Sequence, residues 1–223
     1  MTAANGLVFV IDDDEALRKS LKRLLRLSDY ESEVFDSAAD FLKRPPHPGP
    51  SCVIVDVQMP GLNGIDFQEA LIRRRQEEQL VFITGHGNIA MCARVMKAGA
   101  VDFLSKPFKF RELLKCVERA LNRSSEQRSR AAEKNEARRL LDSLTPREFE
   151  VMQLVITGML NKQAAGELNI TEQTVKAHRG RVMQKLGVRS VAELVRLAQK
   201  AGTGSYKKSF GLHCEISGFR KAR

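Results

Sequence analysis

The chain has 223 residues, 43% of them hydrophobic and 29% charged, a balance typical of globular proteins and a length that suits one large domain or two small ones. Its apolar runs fall well short of the roughly 20 residues that cross a bilayer. The start, MTAANGLVFV, lacks both a basic leader and a long apolar core, so neither membrane insertion nor export is expected and the chain reads as cytoplasmic.

The net charge of +10 is unevenly placed: residues 1–122 carry 17 Lys+Arg against 17 Asp+Glu, and residues 123–223 carry 20 against 10. A neutral module followed by one that meets a polyanion fits this asymmetry, with nucleic acid as the usual candidate and a solvated basic surface as the plain alternative. Cys52, Cys92, Cys116 and Cys214 form no CxxC pair, so the spacing suggests neither a zinc site nor a disulfide framework.

In chain order, short apolar runs alternate with helical patterns: LVFVI (7–11), VF (34–35), CVIV (52–55), LVFI (80–83) and VDFL (101–104). Between them Leu17, Leu21, Leu24 and Leu25, then Ala90, Ala93, Val95 and Met96, recur at helical spacing. Five strands alternating with helices describe an α/β, doubly wound, five-stranded parallel sheet over residues 1–122. The segment RPPHPGP (44–50) is a loop, because its prolines fit neither a helix nor a central strand. Residues 123–142 read as a charged, solvated helical linker almost free of large apolar side chains. Thr145, Pro146 and Glu148 then form a helix start, with a Thr cap, Pro at the first helical position and Glu three residues after the cap. An all-α domain of four short helices is expected over 143–202, and 203–223 shows no clear period and is left unassigned.

The residues able to do chemistry in the first half sit at strand ends. Asp12, Asp13 and Asp14 follow LVFVI, Asp56 follows CVIV, Thr84 follows LVFI, and Lys106 lies just past VDFL. Strand carboxyl ends in a doubly wound sheet converge on one crevice, where such folds bind ligands. A carboxylate beside a buried strand costs several kcal/mol unless a cation or hydrogen-bond donor meets it. Several carboxylates together also repel unless a cation neutralises them, and Mg²⁺ suits such a group because it takes carboxylate oxygens while keeping waters and phosphate oxygens. A carboxylate can itself accept a phosphoryl group as a nucleophile, with a Lys pairing the phosphoryl oxygens and a Thr hydroxyl hydrogen-bonding one of them.

These residues resemble the receiver domain of two-component response regulators over about residues 5–122. The resemblance rests on the acidic run after the first strand, DVQMPGLNG after the third, ITGHG after the fourth and KPF after the fifth. It implies that Asp56 is the phosphoacceptor, that Asp13, Asp56 and the main-chain carbonyl of Gln58 bind Mg²⁺, and that Asp12 acts through metal-bound water. It further implies that Lys106 contacts the phosphoryl group, that Thr84 and Phe103 form a switch, and that the phosphodonor histidine belongs to a sensor histidine kinase. Three aspartates run together where the family needs two. Asp12 and Asp13 are chosen because they directly follow the strand, and Asp14 is read as a helix cap. His86 is read as a solvent-facing loop residue. A haloacid dehalogenase-type phosphatase would place a second Asp two residues after the nucleophile, where this chain has Gln58, and no GxGxxG follows the first strand to suggest a dinucleotide site.

In the second half, NKQAAGELNITEQTVKAHRGRVMQKL (161–186) shows a short helical pattern, a break at Asn169 and a longer helix opened by Thr171. Ala165 and Val175 stand ten apart around the turn, which is helix-turn-helix spacing. The polar face of the second helix, with Thr171, Gln173, Thr174, Lys176, His178, Arg179, Arg181 and Lys185, can meet phosphates and base edges. Lys176 and Arg179 read as the best DNA contacts and Lys162 and Lys185 as phosphate contacts. His178 reads equally as a packing residue. From LTPREFEVMQLV to RSVAELVRLAQ the segment resembles the LuxR-type DNA-binding domain of FixJ/NarL regulators over about residues 143–201. The whole then resembles a regulator that is phosphorylated by its kinase, forms a homodimer, binds double-stranded promoter DNA and acts with RNA polymerase, with activation the expected outcome and no enzymatic role.

Overall fold

The structure, a computed structural model, describes residues 6–74, 76, 78–85 and 89–203. The described residues divide into two compact units at Arg130/Ala131. The tail from 204 onward and His86 lie outside the described residues.

The first unit is built on five parallel strands, β1 (Leu7–Ile11), β2 (Glu31–Phe35), β3 (Ser51–Asp56), β4 (Gln79–Thr84) and β5 (Asp102–Ser105), in the order β2-β1-β3-β4-β5. The expected doubly wound parallel sheet is therefore present. Helices α1 (Glu15–Leu27), α2 (Ala38–Phe41), α3 (Gly64–Arg73) and α4 (Ile89–Lys97) fall between the strands, and α5 (Phe110–Asp142) follows β5. Side chains alternate along each strand, so the sheet buries a core on both faces. Phe9, Ile11, Val53, Val55, Leu80 and Phe82 pack with Phe41, Phe67, Leu71 and Val95 of α2, α3 and α4. Val8, Val10, Ile54, Val81 and Ile83 pack with Leu21 and Leu25 of α1 and with Leu113, Val117 and Leu121 of α5.

Strand order reverses between β1 and β3, the position at which open α/β sheets leave a crevice outside the strand ends. Ile11 is paired with Val55, so Asp12 and Asp56 emerge side by side there. The turn after β3 packs tightly. A Cβ on Gly64 would stand 2.6 Å from the carbonyl oxygen of Asp56 and 3.0 Å from Val57 Cα, so only glycine lets α3 start this close to the strand end.

The segment expected as a solvated linker is not free of packing. It is the continuation of the 33-residue α5, and its polar residues hold the first unit: Ser51 N donates to the buried Ser124 Oγ at 3.1 Å, and Gln79 Nε2 donates to Gln127 Oε1 at 3.0 Å. Arg128 donates to the carbonyls of His47 and Pro48 at 2.7 and 3.0 Å, tying down the proline-rich loop. Further along, Ala137 and Leu141 enter the core of the second unit.

That second unit contains α6 (Pro146–Ile156), α7 (Asn161–Leu168), α8 (Glu172–Lys185) and α9 (Val191–Ala201). Each boundary has a local cause. Thr145 and Glu148 form a reciprocal capping box, Thr171 Oγ1 accepts from Thr174 N, and Ser190 Oγ accepts from Glu193 N. Asn169 ends α7 in the left-handed region at φ 51°, a conformation that Asn tolerates, and Gly187 follows α8 at φ 65°. Ala165 and Val175 are both buried in the shared core, so the small side chain on α7 lets α8 cross closely, as helix-turn-helix packing requires.

Candidate functional site

Two buried carboxylates and one exposed one form the pocket at the strand ends. Asp12 is fully buried, Asp56 is 6% exposed and Asp13 faces solvent, yet carboxylate oxygens of all three lie within 4.8 Å of one another. Asp14 stands apart from them as the cap of α1, accepting from the amides of Ala16 and Leu17.

Lys106 reaches into this group from the loop after β5. Its ammonium donates to Asp12 Oδ2 at 2.8 Å and to Asp56 Oδ2 at 2.5 Å, while its main-chain amide donates to the Thr84 carbonyl at 2.7 Å. The remaining oxygens meet backbone amides: Asp14 N donates to Asp12 Oδ1 at 2.8 Å, and Gln58 N to Asp56 Oδ1 at 3.0 Å. These contacts offset the cost of taking Asp12 and Asp56 out of water. Burial pushes the Asp12 carboxyl above its ordinary value, against the opposing pull of the Lys106 hydrogen bond and the Asp14 amide. Burial also acts against the Lys106 ammonium, but its bonds to Asp12 and Asp56 outweigh that effect and hold it above its ordinary value.

One ammonium thus serves two buried carboxylates, with a third carboxylate beside them. The pocket keeps an excess of negative charge and an open side at Asp13. Mg²⁺ would fit this donor set, because it binds through one or two carboxylates and keeps several waters, for which the exposed Asp13 leaves room. Thr84 is fully buried at the end of β4, and Phe103 is half-buried on β5, opposite Phe82 in the ladder and packed on the same core. The structure therefore brings Asp12, Asp13, Asp56, Thr84 and Lys106 to one edge of the sheet. The ITGHG motif is described only as far as Gly85.

Sequence reading overlooked one neighbour of this pocket. Arg18, one helical turn beyond the Asp14 cap, donates from Nη1 to the main-chain carbonyl of Asp12 at 2.5 Å. Periodicity marks it only as a polar position on α1, and nothing in its spacing distinguishes it from Lys19 or Lys22.

The residues expected to contact DNA separate into two groups. Lys162, Gln173 and Lys176 are exposed. Thr171 and Thr174 are exposed and half-buried, and their hydroxyls share a hydrogen bond of 2.8 Å in the cap of α8. Arg179 is half-buried and donates to Asn161 Oδ1 at 3.2 Å, bracing α8 against the start of α7. His178 encloses its Nδ1 within the protein, consistent with the packing alternative for that side chain. Lys185 is exposed and also has an internal partner: its ammonium donates to the buried Glu148 carboxylate at 2.7 Å. That bond, with the Thr145 amide, holds the Glu148 carboxyl down to about 2.

Comparison with known proteins agrees with both units. A family model of the response regulator receiver domain matches residues 8–118, and one of bacterial regulatory proteins of the luxR family matches residues 142–198. Nodulation protein W of Bradyrhizobium diazoefficiens is 44% identical over 200 residues, which cover 90% of this chain and 88% of that protein. This chain is a two-component response regulator. The regulator is also 38% identical to the transcriptional regulatory protein FixJ of the same organism over 197 residues, covering 88% of this chain and 96% of FixJ. Among solved structures, the response regulator StyR superposes with a TM-score of 0.78 at 47% identity, covering 88% of the regulator and 99% of StyR. Full-length FixJ superposes with a TM-score of 0.54 at 38% identity, covering 88% and 97% of the two chains. The regulator carries a receiver domain and a LuxR-type DNA-binding domain in one chain. No helix among the described residues of the regulator is long and apolar enough to cross a membrane.

Proposed function

We propose that Asp56 accepts a phosphoryl group from a sensor histidine kinase and that this event promotes homodimerisation and binding to promoter DNA. One observation carries the reading: Asp12, Asp13 and Asp56 gather at a strand-order reversal with a single lysine between the two buried members. An oxygen of the Asp56 carboxylate attacks phosphorus, forming a P–O bond as the P–N bond of the kinase phosphohistidine breaks. Asp12, Asp13, Asp56 and the Gln58 main-chain carbonyl would hold Mg²⁺, Asp12 through an intervening water. When bound, the metal supplies positive charge for the transferring phosphoryl oxygens.

After transfer, Lys106 pairs with the phosphoryl group and the Thr84 hydroxyl hydrogen-bonds one of its oxygens. The Lys106 amide already bonds the Thr84 carbonyl, so the two residues are mechanically linked. Movement of Thr84 changes the room available to Phe103 on the neighbouring strand and thereby the surface of α4, β5 and α5. Phosphorylation adds charge of about −1.5 to −2, enough to bias a two-state element.

Lys162, Gln173 and Lys176 form the exposed part of the DNA-binding surface, with the Thr171 and Thr174 hydroxyls beside them. Arg179, His178 and Lys185 contribute to DNA contact and also set the pose of α8, Arg179 through Asn161 and Lys185 through Glu148. Two DNA-binding units per dimer double the phosphate contacts and steepen the salt dependence of binding. The bound dimer acts on RNA polymerase in the cytoplasm, with activation as the output.

Wild type and Asp56→Asn, each treated with acetyl phosphate and Mg²⁺, test this reading. Dimer fraction is measured by analytical ultracentrifugation, and DNA affinity with a duplex selected from random sequence by the phosphorylated protein. The dimer fraction and affinity of the wild type should rise while those of Asp56→Asn stay at the untreated level. Equal binding by both proteins would mean that the receiver unit serves packing alone, and sustained phosphate release from small phosphoesters would mean an enzyme.

A further inference from the structure

We infer that Arg18 is a positioning residue for the metal-binding carboxylates, acting through the peptide plane that joins Asp12 to Asp13. This inference rests on the Mg²⁺-dependent reading of the pocket given above and assigns a new residue to it. The loop between β1 and α1 contains only Asp12, Asp13 and Asp14. Its first residue is pinned on three sides: Asp12 N donates to the Phe35 carbonyl at 3.3 Å, Asp12 Oδ1 accepts from Asp14 N, and Asp12 Oδ2 accepts from Lys106. The exposed Asp13 carboxylate lacks that enclosure, so its position follows from its backbone.

The Arg18 bond controls that backbone. A peptide unit is planar, so the Asp12 carbonyl oxygen, the Asp13 amide and both Cα atoms rotate together. Arg18 Nη1 fixes the carbonyl oxygen, and with it the direction in which the chain leaves Asp12 and the placement of Asp13 Cα relative to Asp56. The guanidinium is half-buried on α1, whose start is anchored by the Asp14 cap, so the donor comes from a rigid element. Without Arg18 the Asp12–Asp13 peptide can swing toward solvent, and the three carboxylates are brought within one coordination sphere less often.

The test titrates Mg²⁺ into full-length wild type, Arg18→Ala, Arg18→Gln and Arg18→Lys by calorimetry, and measures phosphorylation by acetyl phosphate at limiting and saturating Mg²⁺. Loss of a group that orients metal ligands costs about 10–100-fold in metal affinity, and the low end applies to a residue acting on one peptide. Arg18→Ala should therefore bind Mg²⁺ about tenfold more weakly. Its phosphorylation should be slow at limiting Mg²⁺ and near the wild-type rate at saturation. Arg18→Lys and Arg18→Gln, which keep a donor, should fall between the two, and they decide the matter if Arg18→Ala does not fold. Wild-type Mg²⁺ affinity in the folded variants would overturn the inference while leaving the phosphoacceptor reading intact. A phosphorylation defect that saturating Mg²⁺ does not repair would also overturn it. A wild-type protein that binds no Mg²⁺ would overturn both.

Discussion

Each unit of this regulator buries a carboxylate against a lysine, and the two arrangements have opposite outcomes. In the second unit, Lys185 meets Glu148 one to one, and the Thr145 amide completes the set of donors. That pair is closed and balanced, and it fastens the end of α8 to the start of α6. In the first unit, Lys106 is divided between Asp12 and Asp56 while Asp13 stands open to solvent. That group is under-neutralised and accessible. The same ingredients make a structural clamp where charge balances and an open acidic pocket where it does not.

Removing the shared lysine should break the comparison most visibly. Lys106→Ala leaves two buried carboxylates facing each other, so without Mg²⁺ the first unit should lose about 2 kcal/mol of stability, with much of it restored when Mg²⁺ is added. Thermal or urea unfolding with EDTA and with Mg²⁺ reads this directly. A variant whose stability ignores the metal would show that the pocket is already neutral.

The clamp should respond differently, to pH and not to metal. The Glu148 carboxyl is held down to about 2, below its ordinary value, by Lys185 and the Thr145 amide. Its contribution is therefore fully present above the ordinary carboxylate value near 4.5 and is lost as pH falls toward about 2. Glu148→Gln should lower the melting temperature of the second unit at neutral pH and flatten that acid dependence. Circular dichroism melts across this range check it, and an unchanged acid profile would remove Glu148 as the cause. Mg²⁺ should leave both proteins' second units unaffected.

A smaller effect sharpens the view of α8. Gly180 lies inside that helix, and an added Cβ would meet nothing within 4 Å. Gly180→Ala should thus stabilise the second unit by up to about 1 kcal/mol through helix propensity alone. Destabilisation in urea titrations would reveal a packing constraint at this position.

The sequence announced some of these features and hid others, for physical reasons. Four strands read as apolar runs because helices cover both faces of the sheet. β2 showed only its last two apolar residues, because its first positions carry the solvent-exposed Glu31 and Glu33. Asp12, Asp56, Thr84 and Lys106 could be grouped from sequence because a doubly wound sheet brings its strand ends to one edge. The packing of residues 123–130 escaped notice because Ser124, Gln127 and Arg128 hold the first unit by hydrogen bonds, which leave no mark on hydrophobic periodicity. The internal bond of Lys185 escaped notice for a related reason. Its partner Glu148 lies 37 residues away, and a lysine on a recognition helix looks the same in sequence whether it faces phosphate or a buried carboxylate.

On the proposed reading, charge imbalance makes the first pocket, and Asp56 within it, the site of phosphoryl transfer. Peptide mapping by mass spectrometry after treatment with acetyl phosphate and Mg²⁺ tests it most directly. One phosphoryl group, labile to alkali and hydroxylamine, is expected on the peptide containing Asp56, absent when Mg²⁺ is chelated and absent in Asp56→Asn. Phosphate on another residue, or none on the wild-type protein with Mg²⁺ present, would contradict it.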